Sequence, residues 1–172
     1  MKNLFFIVLI VLFYGCKDTV KKQDSSVLNT TKGVAIKHVK TVALEETSKE
    51  NTSDWKEYQS VSKQLQLFST ISANEALSNA LELAKLVKQL KDSIRPLELI
   101  NPAFRTRVNV LENEVLRLKD MTYISALNSK EINTQVGKIL AAFSATNSKI
   151  NTVYSQLAVE KRIEQNLIKA KQ

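Results

Sequence analysis

The chain has little glycine and little proline. Its 172 residues include three glycines and two prolines, Pro96 and Pro102. Tight turns depend on these residue types, because glycine reaches positive φ and proline fixes φ. Turn-rich β-sandwiches and α/β folds are therefore poor fits, and the composition favours an all-helical protein. At this length a single folded domain is the default expectation.

Histidine and cysteine are also scarce, with one of each, His38 and Cys16. Di-metal helical bundles use histidines on facing helices, and Ser-His-Asp or Cys-His catalysis needs a histidine beside the nucleophile. No glycine-rich phosphate loop is present. Glu112 and Glu114 are two positions apart on a predicted helix, so they face different sides and cannot act as an acid/base pair. We expect no catalytic residues, no metal site and no cofactor.

The N-terminus carries a short apolar run. Eleven apolar residues, from Leu4 to Tyr14, follow Lys2. A membrane-spanning helix needs about 20 residues, so this run is too short for one. A positive residue followed by a short apolar core and a small residue is typical of a secretory signal peptide. A buried N-terminal strand is the alternative.

The end of this run, LFYGC over residues 12–16, resembles the lipobox of bacterial lipoproteins. The resemblance implies that lipoprotein signal peptidase cleaves between Gly15 and Cys16, and that the Cys16 thiol carries a diacylglyceryl group. Phe13 stands where the family usually has leucine. Two or three acyl chains on Cys16 would hold the protein firmly on a bilayer. The resemblance therefore predicts a lipid-anchored protein of the cell envelope, on the outer membrane and facing either the periplasm or the surface.

The pair Lys17-Asp18 directly follows this cysteine. It resembles part of the charged surface-export tag of Bacteroidota lipoproteins. The alternative is that the pair simply begins a solvated linker.

Residues 16–53 are rich in Lys, Ser, Thr, Asp and Glu. Such segments bury too little apolar surface to offset the loss of chain entropy, so we expect a flexible linker. Its middle holds more aliphatic residues and fits either a short strand or a helical turn. His38 lies there without a partner ligand. The predicted organisation is a signal peptide over 1–15, a lipid-anchored linker over 16–53 and a helical domain over 54–172.

Within 54–172, apolar residues recur at helical spacing, and start and stop signals divide the pattern. Capping-box spacings occur at Asp54/Glu57, Ser72/Glu75 and Asn128/Glu131, and Asn101-Pro102 fits a helix start. The phase of the pattern slips over 69–74, where a fold-back would give four helices. A kink there would instead give three helices, one of them long. Either way we expect an all-α, antiparallel helical bundle.

The last helix has a heptad-like seam. Apolar side chains and Thr146 alternate at four- and three-residue steps, at Ile132, Val136, Ile139, Phe143, Thr146, Ile150, Val153 and Leu157. Short connections favour packing within one chain, and coiled-coil self-association is the alternative. We expect the Thr146 hydroxyl to bond back to its own helix. A register-setting role or a small cavity is the alternative for this residue.

The formal net charge is +8. Five cations gather around the Pro96–Pro102 connection: Lys88, Lys91, Arg95, Arg105 and Arg107. They predict an anion-binding patch facing anionic lipid, lipopolysaccharide or an acidic protein partner. A solvated bundle end is the alternative, because Asp92 and Glu98 share the region. An exported protein is a poor candidate for binding nucleic acid.

Taken together, these patterns predict a non-enzymatic binding, scaffold or chaperone-like domain anchored to the membrane through lipidated Cys16. Two alternatives remain: a bundle that binds a small apolar or anionic ligand, and a self-assembling coiled coil.

Overall fold

The computed structural model describes residues 32–171. The signal peptide, the lipobox and Lys17-Asp18 lie outside the described residues. The elements in chain order are β1 (Ala35–Lys37), α1 (Glu46–Thr52), α2 (Lys56–Leu67), β2 (Thr70–Ser72), α3 (Ala73–Asp92), a 3-10 turn (Leu97–Leu99), α4 (Pro102–Met121) and α5 (Ser129–Lys169).

The protein is an all-α helical bundle, as predicted. Helix α4 packs between α3 and α5, while α2 lies on α3 and the short α1 lies on α5. The chain folds back between α2 and α3, where β2 interrupts the helical path, so the fold-back predicted over 69–74 is confirmed. The described residues form five helices, one more than the four predicted. Helix α1 is an additional short element that the sequence did not predict. None of the helices within residues 32–171 is both long and apolar enough to cross a membrane.

The core forms along the predicted seams. On α5 the seam residues from Ile132 to Ile150 are buried, and Val153 and Leu157 are partly buried against the same core. The facing residues of α4 are also buried: Phe104, Val108, Leu111, Val115 and Leu118. The Thr146 hydroxyl donates to the backbone oxygen of Ala142 at 3.0 Å, as expected.

Three of the four predicted helix starts are confirmed. Ser72 with Glu75 and Asn128 with Glu131 form reciprocal capping boxes, and Asn101 accepts from the backbone N–H of Phe104 at 2.8 Å. Each side chain satisfies N–H groups that have no partner inside the helix.

The predicted capping box at Asp54/Glu57 is wrong. Helix α2 begins one residue later than that box requires, and its N-cap position is Trp55, which makes no side-chain cap. The Trp55 ring is buried, stacks on Tyr58 at 5.6 Å and donates its indole N–H to the Ser93 hydroxyl at 2.8 Å. Burial of this large ring sets the start of the helix in place of a carboxylate cap.

Residues 32–53 are the described part of the linker predicted over 16–53. Parts of them form regular elements, and one is a short strand, which the sequence had left open for the middle of the linker. Residues 35–37 form β1, which pairs antiparallel with β2, Ala35 opposite Ser72 and Lys37 opposite Thr70. Residues 46–52 form α1, whose Ser48 and Thr52 are buried. The ordered domain therefore begins before residue 54, and residues 16–31 lie outside the described residues.

The C-terminal part of α5 extends beyond the other helices. Gln135 on α5 donates to the backbone oxygen of Glu114 at 2.8 Å, which fixes the antiparallel register of α4 and α5. In this register the N-terminus of α4 lies level with the middle of α5. Beyond Tyr154 the side chains of α5 are exposed or half-buried. Fifteen residues, 155–169, span about 22 Å at the rise of an α-helix. Coiled-coil self-association remains a prediction.

His38 lies just after β1, and its backbone N–H donates to the Ser69 backbone oxygen at 2.9 Å. Its ring atom Nε2 is buried and has no hydrogen-bond partner among residues 32–171. Burial lowers the pKa of His38 below its ordinary value of 6.5, because burial disfavours the charged ring.

This pKa shift predicts a pH dependence of stability. Below about pH 6.5 the unfolded chain takes up the His38 proton more readily than the folded one, so the free energy of unfolding falls as pH drops from about 7.5 to 5.5. Urea denaturation at several pH values measures this slope. His38→Gln cannot titrate, so it should show a smaller slope over the same window. Equal slopes for both proteins would contradict the prediction.

A candidate binding cleft under an extended strap

An extended segment joins β1 to α1 and lies beside α5. We call residues 38–45 the strap. Most of its side chains face solvent: Val39 is 84% exposed and Val42 is 43% exposed. Leu44 alone among its residues is partly buried against the apolar core. Because its side chains bury so little, other contacts must fix the position of the strap.

Side chains of α5 supply those contacts through the strap backbone. Ser144 Oγ accepts from the Val42 N–H at 3.1 Å, and Asn147 Nδ2 donates to the Val42 oxygen at 2.7 Å. Asn151 donates to the Ala43 oxygen at 3.0 Å and accepts from the Glu45 N–H at 2.9 Å. We call Ser144, Asn147 and Asn151 the α5 polar row. Their three- and four-residue spacing places them on one face of the helix.

Asn147 also connects the strap to the aromatic core. It is 3% exposed, and its Oδ1 accepts from the Tyr58 hydroxyl at 2.9 Å. The Tyr58 ring stacks between Trp55 and Phe143, with centroids 5.6 and 6.0 Å away. Burial raises the pKa of Tyr58 well above its ordinary value, so the hydroxyl keeps its proton and remains a donor.

A cleft of about 830 Å³ lies between the strap and α2. The strap forms one wall, α2 forms the other, and Tyr58, Phe143 and Asn147 line it from the core side. This volume is within the range of small-molecule sites in proteins. The cleft is the candidate functional site.

The wall formed by α2 is polar. Gln59, Ser62 and Gln66 line the cleft at the same three- and four-residue spacing as the α5 polar row. We call them the α2 polar row. The side-chain Nε2 of Gln59 donates to the Thr52 backbone oxygen at 2.9 Å. The side-chain amide of Gln66 makes no hydrogen bond to another residue within 32–171. Amides and hydroxyls both donate and accept, so this wall suits polar groups.

The charge on the cleft lining is positive. Lys40 and Lys49 line it, and none of the described lining residues is acidic. Lys49 also pairs with the exposed Glu46 at 3.0 Å. The cleft therefore favours neutral or anionic groups over cations.

The five predicted patch cations do not form one cluster of free charge. Lys88 pairs with Asp92 and Lys91 with Glu112, each at 2.6 Å. Arg107 donates to the backbone oxygen of Ala103 at 2.8 Å.

Arg95 and Arg105 are the two predicted patch residues that share a cavity. They line a shallow cavity of about 420 Å³ together with Ile94 and Ile100. Neither arginine forms an ion pair with a described carboxylate. Three of the five predicted cations, Arg95, Arg105 and Arg107, therefore have no ion-pair partner among the described carboxylates, and two of these three share the cavity.

Residues 32–171 contain no group of three or more His, Cys, Asp or Glu side chains placed to hold a metal ion. Gly15 and Cys16, the predicted cleavage and lipidation residues, lie outside the described residues.

Comparison with known proteins found no matching family model, no similar curated protein and no similar solved structure. The cleft must therefore be interpreted from its own chemistry.

The sequence did not predict the cleft, although the α5 polar row that holds the strap can be seen in the sequence. Ser144, Asn147 and Asn151 flank the apolar seam of α5 on one helical face. Such a polar row beside a seam predicts a polar contact, but the identity of the contacting segment depends on how the chain folds.

Asn147→Ala should release the strap. The substitution leaves the Tyr58 hydroxyl and the Val42 carbonyl without their partner, so we expect a loss of about 2 kcal/mol in the free energy of unfolding. Hydrogen exchange at the Val42 and Glu45 amides should become faster. Asn74→Ala removes an exposed asparagine from α3 and should change stability by less than about 0.5 kcal/mol. Unchanged exchange in the strap after Asn147→Ala would show that Asn147 does not hold it.

Proposed function

We propose that this chain is a lipid-anchored protein of the bacterial cell envelope whose helical domain binds a partner or ligand without catalysing a reaction. The lipobox-like LFYGC sequence supports the anchoring part of the proposal. The cleft of about 830 Å³ between the strap and α2 carries the binding part. Its lining offers amides, hydroxyls, aromatic rings and lysines, and this set favours binding over acid/base or nucleophilic chemistry.

The distance between anchor and domain is limited by chain length. The first described residue, Lys32, follows Cys16 by 16 residues. A fully extended chain of this length spans at most about 55 Å. Under this proposal the cleft works close to the bilayer, where it would meet other envelope proteins or surface molecules.

Cys16→Ala tests the anchoring. We expect wild-type protein in the membrane fraction, labelled by a radioactive fatty acid, because the thiol is the proposed acylation site. The variant should lose the label and the membrane attachment. Lys17→Ala is the matched control, since it changes the next residue and keeps the thiol. Equal labelling and fractionation of Cys16→Ala and wild type would refute the lipobox interpretation.

Anion binding at the Arg95/Arg105 cavity is a second candidate function. Two observations favour it. Neither arginine has an acidic partner among the described residues. Ile94 and Leu97, which lie close to Arg95 in the chain, are 97% and 80% exposed. Paired cations beside exposed apolar side chains suit an anionic lipid surface.

The double variant Arg95→Gln/Arg105→Gln should bind vesicles of phosphatidylglycerol and phosphatidylcholine about 30-fold more weakly, at about 1 kcal/mol for each cation near the surface. Vesicle sedimentation at low salt measures this. Lys88→Gln/Lys91→Gln removes the same charge from residues that are already paired, and should weaken binding much less. If both double variants weaken binding equally, net charge alone is responsible and the cavity has no specific role.

A further inference from the structure

We propose that the cleft binds an extended polypeptide segment of another protein, added as a strand alongside the strap. This inference rests on the proposed function, because it takes the cleft as the binding site. It adds the class of partner and the way in which that partner is held.

The strap itself shows how this region holds an extended chain. Ser144, Asn147 and Asn151 contact backbone atoms of the strap, at 2.7 to 3.1 Å. A side-chain amide offers one acceptor and two donors, as the edge of a neighbouring strand would. Recognition of this kind depends little on the side chains of the bound segment.

The α2 polar row presents the same type of surface across the cleft. Gln59, Ser62 and Gln66 match the spacing of the α5 polar row, and they line the cleft where the strap does not contact them. From residue 59 to residue 66 the helix rises about 10 Å, which equals about three residues of β-strand. A short extended segment therefore fits the length of this row.

The strap has a second edge that remains available. The N–H and the C=O of one trans peptide group point in opposite directions. Val42 directs both its N–H and its C=O to α5. The Thr41 C=O and the Ala43 N–H share peptide groups with these two Val42 atoms and therefore point away from α5. The Ala43 N–H has no hydrogen-bond acceptor among the described residues. These groups, across from the α2 polar row, offer the backbone contacts that strand addition uses.

The charge of the cleft indicates which side chains the bound segment should carry. Lys40 lies on the strap and lines the cleft, without an ion-pair partner among the described carboxylates. An extended segment that carries Glu or Asp should therefore bind better than one that carries Lys.

The test uses two fluorescein-labelled synthetic peptides, ETVTETVTE and KTVTKTVTK, and the mature chain from residue 16 onward in detergent. Fluorescence anisotropy measures binding. We expect the acidic peptide to bind at least tenfold more tightly than the basic one. Gln59→Ala/Gln66→Ala should weaken binding of the acidic peptide at least tenfold. Gln89→Ala/Gln165→Ala removes two exposed glutamines outside the cleft and should leave binding unchanged.

Amide exchange measured by NMR gives a second readout. Strand addition should slow hydrogen exchange at the Ala43 amide at least tenfold when the acidic peptide is bound. Binding without this protection, or binding that survives loss of both glutamines, would overturn the strand-addition model. So would failure of the acidic peptide to bind. If a small sugar or carboxylate binds the cleft while the peptide does not, the proposed binding function stands and this inference fails.

Discussion

The buried amide of Asn147 connects three parts of the molecule: α2, the strap and α5. It accepts from Tyr58 on α2 and donates to Val42 on the strap, while its own backbone belongs to α5. Burying an amide is costly unless its hydrogen bonds are made. With both bonds made, the amide favours one relative placement of α2, α5 and the strap. The cleft exists because this placement keeps the strap beside α5 and away from α2.

Most of the bundle could be predicted from local sequence patterns. The α5 seam, the capping boxes at Ser72 and Asn128, and the Asn101-Pro102 helix start are all encoded within one or two helical turns. Patterns of this kind can be recognised because the partners are close in sequence. The predicted start of α2 was wrong because it depends on residues that are far apart in the sequence. The Trp55 indole bonds to Ser93, 38 residues away, and this tertiary contact outweighs the nearby carboxylate.

The candidate site was largely hidden in the sequence for a similar reason. The strap is polar and has little apolar periodicity, so its composition predicts a linker. It is fixed by hydrogen bonds to side chains 102 to 108 residues away. The ion pairs of the predicted basic patch could likewise be predicted only where the partners are close in sequence. The pairing of Lys88 with Asp92 follows helical spacing, whereas the pairing of Lys91 with Glu112 depends on how α3 packs against α4.

The place of β1 in the chain also bears on how an anchored protein could keep this cleft intact. If Cys16 carries the lipid, any pull from the anchor enters the domain through the residues before β1. The pull would then act first on the ladder between β1 and β2, which pairs three residues and continues in the bond from His38 to Ser69. Only after that ladder opens would it reach the strap. Because the strap is held by a few backbone bonds, a separate attachment ahead of it allows the cleft wall to stay in place while the anchor moves.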